Sequence, residues 1–151
     1  MSSYLIIEPK TKEDWDAYYQ LRYEVLRKPW NQPAVSTKDE AEERSIHILM
    51  RDENGIAVAA GRLQINNGSE GQVRSMSVHE KFRGKGLGSK VLRYIENKAK
   101  EKNLSRITLD SRSTAVHFYE KHGYCVVADS YLLFGKIQHF RMEKNLFGGS
   151  I

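Results

Sequence analysis

The stretch Gln72 to Ala99, QVRSMSVHEKFRGKGLGSKVLRYIENKA, contains the features of this chain that decide its fold. The first part, Gln72 to Val78, alternates in the manner of a half-buried strand. The last part has helical spacing of its apolar residues, which are Leu87, Val91, Leu92, Ile95 and Ala99. Between the two parts lies a glycine loop, Arg83 to Gly88. The sequence therefore predicts a strand, a glycine-rich turn and a helix in direct succession.

The glycine loop has the composition of a phosphate-binding site. Glycine lets backbone N–H groups approach an anion with no Cβ in the way, and the helix that follows adds roughly half a positive charge. Arg83 and Lys85 add two full charges. The loop is neither a Walker A loop nor a dinucleotide fingerprint, because its glycines are spaced G-x-G-x-G and no Gly-Lys pair precedes a Ser or Thr. The loop is therefore either a site for a different phosphate compound or a glycine-rich turn whose basic residues are solvated.

A second segment, Ala115 to Tyr124, reads AVHFYEKHGY and follows the loop after one helical and one strand-like pattern. This segment resembles one of the two recurrent motifs of the GNAT superfamily of N-acetyltransferases, an alanine followed by Phe-Tyr-x-x-x-Gly-Phe/Tyr. The Arg-x-x-Gly-x-Gly spacing of Arg83, Gly86 and Gly88 resembles the other, the acyl-CoA-binding loop. The resemblance covers Gln72 to Tyr124 firmly and the remainder of the chain loosely.

The resemblance implies a site for acetyl-CoA as acyl donor, and it implies no metal. In the family, the strand before the loop splays from its neighbour, so that backbone groups of Met76 and Val78 would pair with the pantetheine arm. The loop would hold the pyrophosphate through Arg83, Gly84, Lys85, Gly86, Leu87, Gly88 and Ser89. Tyr119 matches the tyrosine that protonates the departing sulfur, and a phenol is protonated at neutral pH. Its neighbour Phe118 is expected in the core.

The sequence leaves open which group would take a proton from the acceptor amine. Four side chains are candidates: Glu70, His47, His79 and His139. Glu70 stands just before the motif strand, where some relatives place a base. A water relay, or an amine that is already neutral, would need no basic side chain.

Two arginines occupy positions where another residue type is expected. Arg112 stands where many relatives have an asparagine that contacts the coenzyme, so this contact would come from Arg112, Ser113 or Thr114, or be absent. Arg22 lies on an otherwise apolar helical stripe with Trp15, Tyr18 and Val25. It is expected either to extend to solvent or to pair with an acid, such as Glu43 or an acidic substrate group.

The pattern of the remaining chain completes the expected architecture. Strands are predicted at 4–7, 46–51, 56–64, 72–78, 106–110, 124–127 and 138–143, and helices after Thr11, at 87–99 and at 114–121. A short further helix is expected within 36–44. Thr11 and Asp14 form an approximate capping box, and Asn54-Gly55 predicts a hairpin. This order matches the α/β (α+β) fold of the GNAT superfamily, a mixed, mostly antiparallel central sheet flanked by helices.

Composition restricts the class of protein. The 151 residues suit a single domain over 1–151, and no apolar run reaches the length of a membrane span or of a signal peptide. The net charge of +5 comes from basic residues interleaved with 19 acidic ones, which argues against a nucleic-acid partner. The single cysteine, Cys125, lies in an apolar run and is expected in the core. A cytoplasmic protein without a membrane partner is predicted.

These observations predict an acetyl-CoA-dependent N-acetyltransferase whose acceptor is a primary amine of a small molecule or a protein. A coenzyme A-binding regulatory module without transferase activity, or an acyl-CoA thioesterase, would use the same cleft. The retained Tyr119 favours the enzyme, whereas the lack of an evident base favours the module. Dimerisation through the C-terminal strands is common in the family, so a homodimer is also implied, although the sequence carries no signal for it.

Overall fold

The computed structural model describes residues 3–147. Seven strands are present in this part of the chain: β1 (Leu5–Ile7), β2 (Ser45–Arg51), β3 (Ala57–Ile65), β4 (Glu70–Val78), β5 (Arg106–Arg112), β6 (Cys125–Leu133) and β7 (Ile137–Asn145). Three α-helices accompany them: α1 (Lys12–Leu26), α2 (Leu87–Glu101) and α3 (Val116–Lys121).

The strands form one sheet in the order β1-β2-β3-β4-β5-β7-β6. Among the described residues, β4 and β5 form the only parallel pair, and every other neighbouring pair is antiparallel. Since α2 connects β4 to β5, it makes the crossover that a parallel pair requires. This is the predicted mixed, mostly antiparallel sheet with flanking helices, and the fold-class prediction is confirmed.

The two long helices cover opposite faces of the sheet. The α2 residues Val91, Leu92 and Ile95 are fully buried in a cluster with Ile48 and Ala59. The neighbouring strand positions Leu49 and Ala60 point the other way and pack with Tyr18 and Leu21 of α1. Successive side chains of a strand alternate between faces, so the apolar runs of β2 and β3 supply both layers.

The start of α1 follows the prediction. The Asp14 backbone N–H donates to Thr11 Oγ1 at 3.1 Å, and Asp14 Oδ2 accepts from the Thr11 backbone N–H at 3.3 Å, which completes the capping box. Asp14 also forms a 3.0 Å ion pair with Arg51, which links the start of α1 to β2.

Arg22 is buried, with 1% of its surface exposed, so the prediction that it extends to solvent is wrong. It pairs with Glu42, one residue from the acid suggested by the sequence, at 2.8 Å. Glu42 also pairs with Arg62 of β3 and accepts from the Tyr19 hydroxyl at 2.9 Å. The Glu42 carboxylate thus links the two buried guanidiniums and holds α1 against the sheet, and Asp39 supplies a second negative charge to Arg62 at 2.8 Å. A buried charge requires such partners in place of solvent.

Two other expectations are corrected. The segment 36–44 contains only the short 3-10 turns Ala34–Thr37 and Glu42–Arg44, because its polar side chains bond to nearby backbone groups in place of a helical ladder. Cys125 is exposed rather than in the core. It lies on β6, the edge strand of the sheet, and Val126 and Val127 beside it are exposed as well.

Candidate active site

Strands β4 and β5 separate partway along their length. Their parallel register runs from Glu70 opposite Arg106 to Val73 opposite Leu109 and then stops. Just beyond, Ser75 has a positive φ of 57°, and the register between β3 and β4 shifts at this point. A bulge of this kind bends its strand, so the β5 side of residues 74–78 lies open.

The opening leads into a cleft of about 560 Å³, which we call the glycine-loop cleft. It lies between the end of β4, the loop before α2 and the helix α3. Its lining residues are Met76, Ser77, Val78, Phe82, Arg83, Gly84, Gly86, Leu87, Gly88, Ser89, Ala115, Phe118, Tyr119 and Lys121. The size is within the usual range for small-molecule sites.

The backbone of the glycine loop needs glycine for its conformation. Gly84 and Gly86 have φ values of 81° and 78°, a region that residues with a Cβ rarely adopt. A Cβ at either position would meet no atom within 4 Å, so the loop is open on that side rather than packed. Gly86 is the N-cap of α2 and has no side chain to cap the helix. The first N–H groups of α2 are therefore available to an anion.

Most of the predicted coenzyme residues lie at this cleft, and one does not. Met76, Val78, Arg83, Gly84, Gly86, Leu87, Gly88 and Ser89 all line it. Lys85 does not, and its ammonium lies 5.4 Å from the ring centroid of Phe82. Phe118, expected in the core, is only half buried and forms part of the wall. Lys121 is a further cation at the cleft, and no motif in the sequence singles it out.

Tyr119 lies where this cleft meets a second one. Its side chain is buried, and burial raises the pKa of the phenol, so the hydroxyl keeps its proton. Among the described residues the hydroxyl has no hydrogen-bonding partner, which leaves it free to donate to a ligand. Met76 and Ala115 also border both spaces.

The second space, which we call the arginine cavity, encloses about 420 Å³ between the separated strands, the end of α1 and the β6–β7 hairpin. Polar residues dominate its lining: Arg27, Arg74, Ser75, Asp110, Ser111, Arg112, Tyr131 and His139. Apolar walls come from Leu26, Val73, Leu109 and Leu133. Arg112 lies here, whereas none of Arg112, Ser113 and Thr114 lines the glycine-loop cleft.

Three of the four candidate bases lie outside the arginine cavity. Glu70 is held by Asn66 at 2.7 Å and Arg106 at 2.9 Å, which hold the pKa of its carboxyl below the usual range. His47 is buried beneath α1 against the Tyr18 hydroxyl and the Glu42 carbonyl. His79 caps the turn Glu80–Phe82 and borders a third cavity, which shares Arg83 with the glycine-loop cleft and Arg112 with the arginine cavity.

His139 is the candidate base that lines the arginine cavity. Its Nδ1 lies 3.0 Å from the Ile137 carbonyl, to which it donates a proton, so Nε2 is the acceptor nitrogen of the neutral ring. The ring stacks on Tyr131 at a centroid distance of 4.4 Å. Burial, and then the Arg112 charge, lower the pKa of His139, so the imidazole is neutral at pH 7.

Comparisons with known proteins agree with this geometry. Residues 15–124 match the model of the acetyltransferase (GNAT) family. The chain is 35% identical over 130 residues to YjcF, an uncharacterized N-acetyltransferase of Bacillus subtilis, a match that covers 86% of this chain and 91% of YjcF. The chain therefore belongs to the GNAT family of acetyltransferases.

Solved structures show the same fold at low identity. ElaA of Escherichia coli superposes with a TM-score of 0.80 at 20% identity, over 95% of this chain and 99% of ElaA. An aminoglycoside 6'-N-acetyltransferase solved with coenzyme A superposes with a TM-score of 0.78 at 16% identity, over 95% of this chain and 97% of that enzyme. In residues 3–147, no helix combines the length and the apolar character that a membrane crossing requires.

Proposed function

We propose that this protein transfers an acetyl group from acetyl-CoA to a primary amine. The observation that carries the proposal is the meeting of two spaces at Tyr119: the glycine-loop cleft and the arginine cavity share this residue, Met76 and Ala115. A thioester entering from one side and an amine from the other would come together at a buried phenol. Holding two reactants in such an arrangement is itself a large part of catalysis.

The glycine-loop cleft has groups suited to a long ligand with phosphates. The first N–H groups of α2, together with Arg83 and Lys121, would bind the pyrophosphate by charge-assisted hydrogen bonds. The β5 side of residues 74–78 lacks a strand partner, so backbone groups near Met76 and Val78 would pair with the amides of the pantetheine arm. A backbone N–H of the same strand would stabilise the charge that develops on the thioester oxygen.

When bound, acetyl-CoA supplies an acyl group activated for attack by an amine. His139 Nε2 takes the proton of the attacking nitrogen, directly or through a water molecule. Tyr119 donates its hydroxyl proton to the sulfur as the carbon–sulfur bond breaks and the carbon–nitrogen bond forms. One proton is taken and one is given, and exchange with water restores both side chains.

The test is an acetyl-transfer assay of the pure protein with acetyl-CoA and a panel of primary amines. Coenzyme A release is followed with a thiol reagent, and the acetylated amine is detected by mass spectrometry. We expect release that depends on the amine and matches the acetylated product. Release without any amine would indicate a thioesterase, and tight coenzyme binding with no release would indicate a regulatory module. Either result would contradict the proposal.

A further inference from the structure

The arginine cavity contains more positive charge than the fold requires. Arg27 at the end of α1, Arg74 on β4 and Arg112 on β5 all line this one space. Burial, and then the neighbouring charges of Arg22, Arg112 and Arg74, lower the pKa of Arg27. The three guanidinium-bearing side chains thus share one cavity, where like charges oppose one another.

The positive charges of Arg27 and Arg112 have no acidic partner among residues 3–147. The Arg112 guanidinium makes no hydrogen bond to any of these residues. Burial lowers its pKa, which reflects the cost of keeping this charge away from water. Arg27 donates only to backbone carbonyls, those of Ser36 at 3.1 Å and Leu26 at 3.1 Å. A half-buried guanidinium without an anion has lost part of its hydration and has no negative charge to compensate.

The one acid of the cavity cannot supply this partner. Asp110 accepts from Arg141 at 2.9 Å and from the Ser130 hydroxyl at 2.7 Å, and these partners belong to the neighbouring strands β7 and β6. Arg74 is the best satisfied of the three arginines, at 3.5 Å from Asp39 and 3.2 Å from Gln64. Arg27 and Arg112 remain as the pair that is open to an added anion.

We propose that the acceptor is a small molecule that carries, besides its amine, a carboxylate or phosphate group, and that Arg112 and Arg27 bind this group. The inference rests on the proposed transferase function and narrows its acceptor class. A cavity of about 420 Å³, bounded by Leu26, Tyr131 and Leu133, has the volume of a small-molecule site. Guanidinium is the side-chain group that matches carboxylate and phosphate with paired hydrogen bonds.

The inference is tested by binding rather than by turnover. The protein is titrated calorimetrically with two matched pairs of amines: O-phosphoethanolamine and ethanolamine, and 4-aminobutyrate and 4-aminobutyramide. We expect at least one anionic member to bind about tenfold or more tightly than its neutral partner. The pair that shows the difference distinguishes phosphate from carboxylate.

Variants assign the difference to the cavity. Arg112→Gln should remove the preference for the anionic amine, whereas Arg93→Gln, an exposed arginine of α2, should keep it. Affinity for acetyl-CoA should be unchanged in Arg112→Gln, which also shows that the variant is folded. Equal binding of both members of each pair, or an unchanged preference in Arg112→Gln, would overturn the inference.

The outcomes separate this inference from the proposed function. Anionic amines that bind through Arg112 in a protein that releases no coenzyme A would support the anion site and contradict the transferase. Transfer to neutral and anionic amines at equal efficiency would support the transferase and contradict the anion site.

Discussion

The glycine-loop cleft and the arginine cavity differ in how the chain builds them. Seven of the lining residues of the glycine-loop cleft lie within the short run 82–89, and the backbone conformation of this run gives the cleft much of its shape. The arginine cavity takes its arginines from α1, β4 and β5, and its histidine from β7. A site made of contiguous backbone can be recognised as a motif, whereas a site assembled from distant side chains becomes visible only in the folded sheet.

The two spaces also hold positive charge differently. At the glycine loop, the N-terminus of α2 adds about half a positive charge to the full charges of Arg83 and Lys121. In the arginine cavity, the positive charge comes from individual guanidiniums whose identity the fold does not dictate.

The largest effect is expected from Gly86→Glu, which should affect only the glycine-loop side. The new side chain brings a negative charge to the pyrophosphate position and strains a residue with a φ of 78°. Acetyl-CoA affinity should fall by about 100-fold or more, because two or more charge-assisted hydrogen bonds of ~1.5–3 kcal/mol each are lost. Calorimetric titration measures this.

The matched control is Gly68→Glu, in the exposed turn before β4, where a Cβ also meets nothing within 4 Å. It should bind acetyl-CoA like the wild type. Unchanged affinity in a folded Gly86→Glu protein would remove the glycine loop from the coenzyme site.

The next largest effect is expected from the ion pairs of Glu42, which hold α1, and with it Arg27 of the arginine cavity, against the sheet. Glu42→Ala leaves the buried charge of Arg22 without an acidic partner and leaves Arg62 with Asp39 alone, so it should destabilise the protein by about 3 kcal/mol. Urea unfolding measures this, with the exposed neighbour Glu43→Ala as control. Acetyl-CoA affinity should persist in the folded fraction while amine use declines, because α1 carries Arg27. Equal stability of the two variants would contradict the structural role of Glu42.

The same carboxylate gives a dependence on pH. Although burial opposes it, the hydrogen bond and charge of Arg22 hold the pKa of Glu42 below its usual value. A lowered pKa in the folded state stabilises the protein above pH 4.5, and this contribution is lost as the pH falls through the folded value. The difference in unfolding free energy between wild type and Glu42→Ala should therefore be fully present at pH 7 and should shrink progressively as the pH is lowered from 4.5.

A smaller effect is expected at the junction of the two spaces. Tyr119→Phe should reduce kcat by about 100-fold, the range of a lost general acid, and leave the affinity for acetyl-CoA nearly unchanged. The control Tyr94→Phe removes a hydroxyl from α2, where its contact with Glu8 is long at 3.5 Å. Steady-state kinetics measures kcat, and calorimetric titration measures the affinity for acetyl-CoA. Wild-type turnover in Tyr119→Phe would leave Tyr119 with a packing role alone.

The smallest effect concerns His139. Its lowered pKa implies that kcat/KM declines only below pH 6.5, as the imidazole takes up a proton near Arg112, Asp110 and Tyr131. His139→Gln should reduce the rate about tenfold at pH 7, below the usual range for a general base because water can relay the proton. It should also remove the acidic limb of the pH profile. The control variant His117→Gln changes an exposed histidine and should keep both the wild-type rate and the acidic limb of the pH profile. An acidic limb that is unchanged in His139→Gln would exclude His139 as the base.

The sequence predicted the parts of the molecule that local rules control. The order of strands and helices along the chain and the capping box of Thr11 follow from local patterns and agree with the structure, and the family follows from contiguous motifs and agrees with the family match. The roles of Tyr119 and the loop residues stay predictions, although the structure places all but Lys85 at one cleft.

Long-range contacts account for what the sequence did not predict. The bulge at Ser75 has no glycine in the sequence that would indicate it. It nevertheless marks the place where β4 and β5 separate. For Arg22 the sequence left solvent and an acidic partner such as Glu43 as alternatives, because its actual partner Glu42 lies 20 residues away in the chain. Cys125 was expected in the core because an apolar run does not reveal that its strand will form the edge of the sheet.

The most direct test of the two-space account is a calorimetric titration of the wild-type protein with acetyl-CoA, desulfo-CoA and ATP. The account predicts saturable binding of both coenzyme A species, with ATP much weaker because it lacks the pantetheine arm that the open strand would hold. Absence of binding to either coenzyme A species would contradict it, and the family membership would then describe the fold alone.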